Sequence, residues 1–180
     1  FTNNVEKMVD DSCTLIIGVG FHLEPAVHES ALKHTDRNYA LIDSTFSDGT
    51  NPVVLENGRP LLFNTSEAAY LAGYASAAMT KTGKVATFGG AQIPAVTVFM
   101  DGFADGVNAY NQAKGTSVQV LGWDKETQTG AFTDSFDDQS LGLQQAQQFI
   151  SEGADIIMPV AGAVGLGAAA AAKSSGNTLI

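Results

Sequence analysis

The chain has 180 residues, enough for one sizeable core or two small ones, and its 44% apolar residues never form a run of membrane-spanning length. Nine Lys and Arg against nineteen acidic residues leave a net charge of −10, which excludes the clustered cations a nucleic-acid binder needs to neutralise phosphates. The single cysteine, Cys13, excludes an internal disulfide and is expected as a small core residue.

In chain order, Val5, Met8 and Val9 at helical spacing predict a helix over 2–11, with Asn3 or Asn4 as its cap. Residues 14–19 form an apolar strand of the kind buried on both faces of a parallel sheet, ending at Gly20-Phe21-His22. Residues 24–34 read as a helix with Pro25 in its first turn and Ala26, Val27, Ala31 and Leu32 facing inward. A strand over 39–42 ends at Asp43-Ser44-Thr45. Residues 47–58, rich in Asp, Gly, Asn and Pro, read as a surface loop before a strand over 59–64. The helix over 66–79 carries Ala68, Ala69, Leu71, Ala72, Ala75 and Ala78, a composition suited to close packing.

Residues 84–110 organise the rest. A β-branched and aromatic run, Lys84 to Phe88, breaks at Gly89-Gly90 and passes Pro94 into an amphipathic helix with Val96, Phe99, Phe103, Val107 and Tyr110 on one stripe. Gly102 and Gly106, four apart, are expected to let this helix approach a sheet closely. Further on, the pattern predicts a strand over 118–121 ending at Gly122-Trp123 and a long acidic loop over 124–138. A helix over 141–152 follows, with Leu143, Ala146, Phe149 and Ile150 inward and Gly153 at its end. A strand over 154–160 breaks at Ala161-Gly162-Ala163, an alanine-rich helix spans 165–173, and Asn177 opens another strand.

Strands alternating with helices of this length predict an α/β fold with doubly wound parallel sheets. Two lobes are expected: residues 1–65 in the first, residues 66–83 as a crossing helix and hinge, and residues 84–180 in the second, incomplete at both ends. Ligands of such sheets bind beyond the carboxyl ends of the strands.

The blocks Leu15-Ile16-Ile17-Gly18-Val19-Gly20-Phe21, Tyr39-Ala40-Leu41-Ile42-Asp43-Ser44 and Glu67-Ala68-Ala69-Tyr70-Leu71-Ala72-Gly73 carry a resemblance. So do Gly83-Lys84-Val85, Phe88-Gly89-Gly90, the helix with Phe99, Gly102, Phe103 and Gly106, and Gly153-Ala154-Asp155-Ile156-Ile157. In order and spacing they resemble the basic membrane protein group, the purine nucleoside receptor type of substrate-binding lipoproteins for ABC transporters. The resemblance implies a type I periplasmic-binding-protein fold, a nucleoside ligand (often a purine one) and an ABC permease partner. It also implies an extracytoplasmic place, with membrane attachment only through a lipid on a cysteine outside this segment. Cys13 lies inside the fold pattern and is not that cysteine. At Met158 the family commonly has a Phe that walls the base, and residues 124–134 look longer than its usual loop.

A nucleoside needs ring walls, a few amide or carboxylate partners and close-approaching backbone. The candidates at strand carboxyl ends are Phe21, Asp43, Gln92, Trp123, Phe136 and Met158, with Gly162 in the turn before a helix. Phe136 matches a family base-contacting aromatic, and equally could anchor its loop. Asp43 bonds ligand or caps its turn; Phe21 is wall or core, Gln92 faces a base edge or water, and Trp123 stands open or under the long loop. His22, His28 and His34 recur at intervals of six, which fits no zinc pattern and places them on the surface. Asp137-Asp138 suits a helix N-terminus better than a calcium loop. No catalytic constellation, cofactor motif or metal motif is legible. An effector domain of a transcription regulator with this fold, a receptor for another solute such as a sugar, and a nucleoside-processing enzyme remain alternatives.

Overall fold

The computed structural model describes residues 1–49 and 51–180; Thr50, within the expected 47–58 loop, lies outside the described residues. It forms two compact units, Phe1–Phe63 and Asn64–Ile180. The boundary precedes the segment expected as a crossing helix, and that helix packs within the second unit. Among the described residues no helix is long and apolar enough to cross a membrane.

The first unit contains α1 (Thr2–Asp10), β1 (Leu15–Val19), a 3-10 turn (Phe21–Leu23), α2 (Glu24–Lys33), β2 (Asn38–Ile42) and β3 (Gly58–Leu61). The strands pair in parallel in sequence order, with Ile16 opposite Tyr39 and Gly18 opposite Leu41. Ile16, Tyr39 and Leu41 pack with Val5 of α1 and with Ala26, Val27 and Ala31 of α2, and Phe46 closes the cluster. The expectation of a strand buried on both faces is corrected: Leu15, Ile17 and Val19 are 54%, 55% and 66% exposed. Both helices pack on the Ile16 face, and among the described residues the alternate residues of β1 meet no second layer. Leu32, expected inward, is also exposed. Neither Asn3 nor Asn4 caps α1, whose N-cap is Phe1.

Polar groups join the elements of this unit. Glu6 of α1 accepts from Lys33 Nζ at 2.7 Å and His34 Nε2 at 3.1 Å. Those bonds, Lys33 first and His34 second, hold its carboxyl at about 2, well below its ordinary 4.5. Asn57 Nδ2 lies within hydrogen-bond reach of the carbonyls of Ala31, His34 and Arg37, and so covers the open C-terminal end of α2. His28 and His34, expected on the surface, are half-buried beside Glu24 and Glu6.

The second unit contains α3 (Thr65–Met79), β4 (Lys84–Gly89), α4 (Pro94–Lys114), β5 (Gln119–Leu121), β6 (Trp123–Asp124), β7 (Thr129–Gly130), α5 (Gln139–Ser151), β8 (Ile156–Val160) and α6 (Val164–Ser175). Its main parallel sheet has the order β5-β4-β8, and Leu179 begins to pair beyond β8 through a bridge to Ile156. One face carries Val85 and Ile156 against Ala77 of α3 and Phe103 and Val107 of α4. The other carries Ala86, Phe88 and Ile157 against Ala146 and Phe149 of α5 and Ala168 and Ala171 of α6. This sheet is covered on both faces, as a doubly wound sheet should be.

Glycine decides how the helices of this unit meet. Gly102 and Gly106 press α4 against α3 rather than against a sheet, which corrects the expectation. A Cβ on Gly106 would lie 2.0 Å from the Tyr70 carbonyl oxygen, and one on Gly73 of α3 would lie 2.0 Å from that of Phe103. The close face of α3 is Ala69, Gly73 and Ala77, whereas Ala68, Leu71, Ala75 and Ala78 are exposed. At the opposite end from the glycine turns, Asp155 accepts from the Thr80 hydroxyl and the Lys81 and Thr82 amides. Burial would raise its carboxyl, but those donors outweigh burial and leave it below the usual range.

Candidate functional site

In the second unit the strand order reverses at β4, since β5 lies on one side of it and β8 on the other. The carboxyl end of β4 is therefore the switch point where α/β sheets bind ligands. Gly89 donates to the Ala131 carbonyl at 3.0 Å and accepts from the Thr133 amide at 3.0 Å, so residues 131–133 continue the ladder where β5 has ended. Gly90 donates to the Val160 carbonyl at 2.9 Å on the β8 side.

The loop over 131–138 crosses this rim. The rings of Phe132 and Phe136 lie on the bare backbone of Gly89 and Gly90, where an added Cβ would come within 2.7 Å and 2.5 Å of them. Gly162, with φ +56°, stands beside Phe136: its Cβ position is 3.1 Å from the Phe136 oxygen, which also accepts from the Val164 amide at 3.4 Å. Ser135 Oγ accepts from the Asp137 and Asp138 amides, and Asp138 Oδ1 accepts from the Ser140 amide at 2.9 Å to cap α5. The Ser140 hydroxyl and then its amide hold the Asp138 carboxyl below its usual range. Phe136, Gly162 and Gly90 thus form one surface of ring and backbone.

The remaining candidates of this unit fall elsewhere. Trp123, expected at a strand end, and residues 124–130, expected as part of the long loop, form an antiparallel hairpin of β6 and β7. Trp123 is 5% exposed in a cluster with Val96, Met100 and Ala104, its ring edge-on to Phe132 and its Nε1 donating to Asp101 Oδ1 at 2.9 Å. Gln92 Nε2 donates to the Gln128 carbonyl at 2.6 Å, which places Gln92 against the same hairpin. Met158 packs with the α3–α4 face, two residues short of the end of β8, while Val160 joins the cluster around Trp123.

In the first unit, Gly20 donates to Ile42 O and Asp43 donates to Leu61 O, so the carboxyl ends of the three strands are stitched into one edge. Phe21 and Asp43 both stand on it. Phe21 stacks beside His22 at 4.2 Å, and Asp43 has φ +67°, a left-handed conformation that is uncommon for a residue other than glycine. A cavity of about 680 Å³ between α2 and Ser47, Asp48, Gly49, Val53 and Leu55 lies apart in the unit, with Glu24 already engaged by the Ser47 amide and His28.

Asp134 carries little signal in the sequence. It shares with Asp43 a left-handed backbone, φ +51°, at a strand-end rim. Only the order Thr133-Asp134-Ser135 after a short apolar pair hints at a turn there. Gly90 is equally visible as a turn glycine, but not as the floor beneath Phe136. Among the described residues no group of His, Cys, Asp and Glu is arranged to hold a metal ion.

A family model described as ABC transporter substrate-binding protein PnrA-like matches residues 1–180. Basic membrane protein D of Borreliella burgdorferi is 29% identical over 176 residues, covering 98% of this chain and 47% of that protein. The ABC transporter nucleoside-binding protein BmpA of Lactococcus lactis is 29% identical over 174 residues, covering 97% of this chain and 44% of that protein. The chain thus spans about half the length of these curated relatives. Among solved structures, a solute-binding protein of an ABC transporter system from Aeropyrum pernix K1 superposes with TM-score 0.77 at 28% identity, covering 98% of this chain and 48% of that one.

Proposed function

The chain belongs to the PnrA-like family of ABC transporter substrate-binding proteins, and from that premise we propose that it acts as an extracytoplasmic receptor that captures a nucleoside, purines first, for delivery to an ABC permease. The observation that carries the reading is the rim at the strand-order reversal, where the half-buried ring of Phe136 lies against the backbone of Gly90 and Gly162. A flat base stacks on a ring held in this way, because offset stacking rewards a wall whose rotamer is already locked. The glycines allow backbone to come close to the ligand, where a side chain would block it. Asp134 in the same loop is proposed as a further contact, its carboxylate suiting ribose hydroxyls as an acceptor.

Trp123 and Met158 serve this reading as packing rather than as walls. No nucleophile with a neighbouring base is part of the proposal, so the nucleoside leaves unchanged. A lipid anchor outside residues 1–180 belongs to the same proposal.

Calorimetric titration of the complete protein with adenosine, guanosine, uridine, free adenine and ribose tests it. Nucleosides are expected to bind more tightly than either half alone, and Phe136→Ala to weaken adenosine binding about tenfold. Silence across the panel at millimolar ligand overturns the receptor reading. Release of free base or a phosphorylated product during incubation overturns its non-catalytic part.

A further inference from the structure

The hairpin over 123–130 is fastened at three points. Asp101 and Asp105, four apart on α4 and so on one helical face, both reach it. Asp101 Oδ1 accepts two hydrogen bonds, from Trp123 Nε1 at 2.9 Å and from Gln128 Nε2 at 3.0 Å. Asp105 pairs with Lys125 Nζ at 2.6 Å. Gln92, in the turn between β4 and α4, donates to the Gln128 carbonyl at 2.6 Å. Gln128 itself has φ +53°, so the reversal of the hairpin sits in a conformation that surrounding contacts must hold.

The rim begins where the hairpin ends. Ala131 donates to Gly122 O at 2.9 Å and accepts from Gly89, and Thr133 donates to Gly89 O, without a residue of slack between hairpin and ladder. A hairpin that shifts must carry residues 131–136 with it, and Phe136 among them.

We propose that Asp101 is a positioning residue for the ligand site: by accepting from Trp123 and Gln128 it holds the hairpin, and through the hairpin it sets Phe136 over Gly90. The buried indole N–H requires an acceptor, and the Gln128 amide ties that acceptor to the far end of the same hairpin. Because both bonds end on one oxygen, the geometry of an acceptor is what the site uses. The ligand part of this inference rests on the nucleoside reading above; the positioning part does not.

The complete protein is compared with its Asp101→Asn, Asp101→Ala and Gln128→Ala variants. Three quantities are read: adenosine affinity by calorimetry, emission of Trp123, the one tryptophan of these 180 residues, and amide hydrogen exchange across residues 131–136. Asp101→Ala is expected to shift the Trp123 emission, to speed exchange at Ala131 and Thr133, and to weaken adenosine binding about tenfold. Asp101→Asn, with an amide oxygen in the same place, is expected to restore all three. Gln128→Ala, which removes one of the two bonds from an exposed side chain, is expected to give a partial change, and it decides the matter if Asp101→Ala does not fold. Wild-type exchange and affinity in Asp101→Ala, or in Gln128→Ala where that variant decides, overturn the proposal. So does an Asp101→Asn variant as impaired as Asp101→Ala. If the unaltered protein binds no adenosine, the nucleoside reading fails, and the exchange and emission data still decide the positioning role.

Discussion

The two sheets of this chain are built from the same parts and end differently. In the first, strands lie in the order β1-β2-β3, so each step moves the same way across the sheet. The connecting helix α2 and the preceding α1 pack on the face that carries Ile16, and the alternate residues of β1 are exposed. In the second, the path from β4 to β5 moves one way and the path from β5 to β8 moves back. Right-handed connections put α4 on one face and α5 on the other, and α6 continues on the side of α5 toward Leu179. Reversal of strand order covers both faces and makes the carboxyl end of β4 a switch point. Among the described residues, that reversal is found in the second sheet.

The sharpest way to break this comparison is on β1. Ile16→Ala is expected to cost about 3 kcal/mol, as a large-to-small change under α2, and Ile17→Ala about 0.5 kcal/mol. Urea unfolding of the 180-residue chain checks the pair, and equal costs would mean the two faces of β1 are not different. The units also differ in what touches their glycines. In the second, a Cβ on Gly106 meets backbone at 2.0 Å, so Gly106→Ala must push α4 off α3, at about 2–3 kcal/mol. In the first, a Cβ on Gly18 meets Val27 Cγ2 at 2.8 Å, a side chain that can turn away, and Gly18→Ala is expected to cost about 1 kcal/mol. Thermal midpoints of the two variants rank them.

The smallest expected effect is electrostatic. Glu6 has its folded carboxyl lowered from 4.5 to about 2, so its stabilising contribution is complete above 4.5 and disappears as pH falls toward 2. The Lys33 ammonium keeps its charge throughout that window, so the loss belongs to the carboxylate. Glu6→Gln should flatten this part of the acid limb for the first unit, and Asp155→Asn should do likewise for the second, where the carboxyl is also lowered. Urea midpoints recorded across that pH range read both slopes.

Much of the architecture is legible in the residues themselves. The apolar stripe through Val96, Phe103 and Val107 and the break at Gly89-Gly90 are local patterns, and α4 and the turn after β4 follow them. Asp138 stands at the start of α5 because an acidic side chain there meets free amides, which the neighbouring residues already imply. At the site, Phe136 and Gly162 can be named from the sequence, but their adjacency cannot. Trp123 reads as an open ring wall or as covered by the long loop, and nothing local reveals that Asp101, 22 residues away, accepts its indole N–H.

The amino-acid order by itself therefore determined where most chain segments are helical or extended, the hairpin of β6 and β7 excepted, because that depends on neighbours a few positions apart. Tertiary structure alone decided which sides acquire a second layer, that Ala69, Gly73 and Ala77 form the close face of α3, and that Asp43 and Asp134 adopt left-handed backbones. Each of these depends on the order in which distant strands pair, and hydrophobic periodicity carries no record of that order.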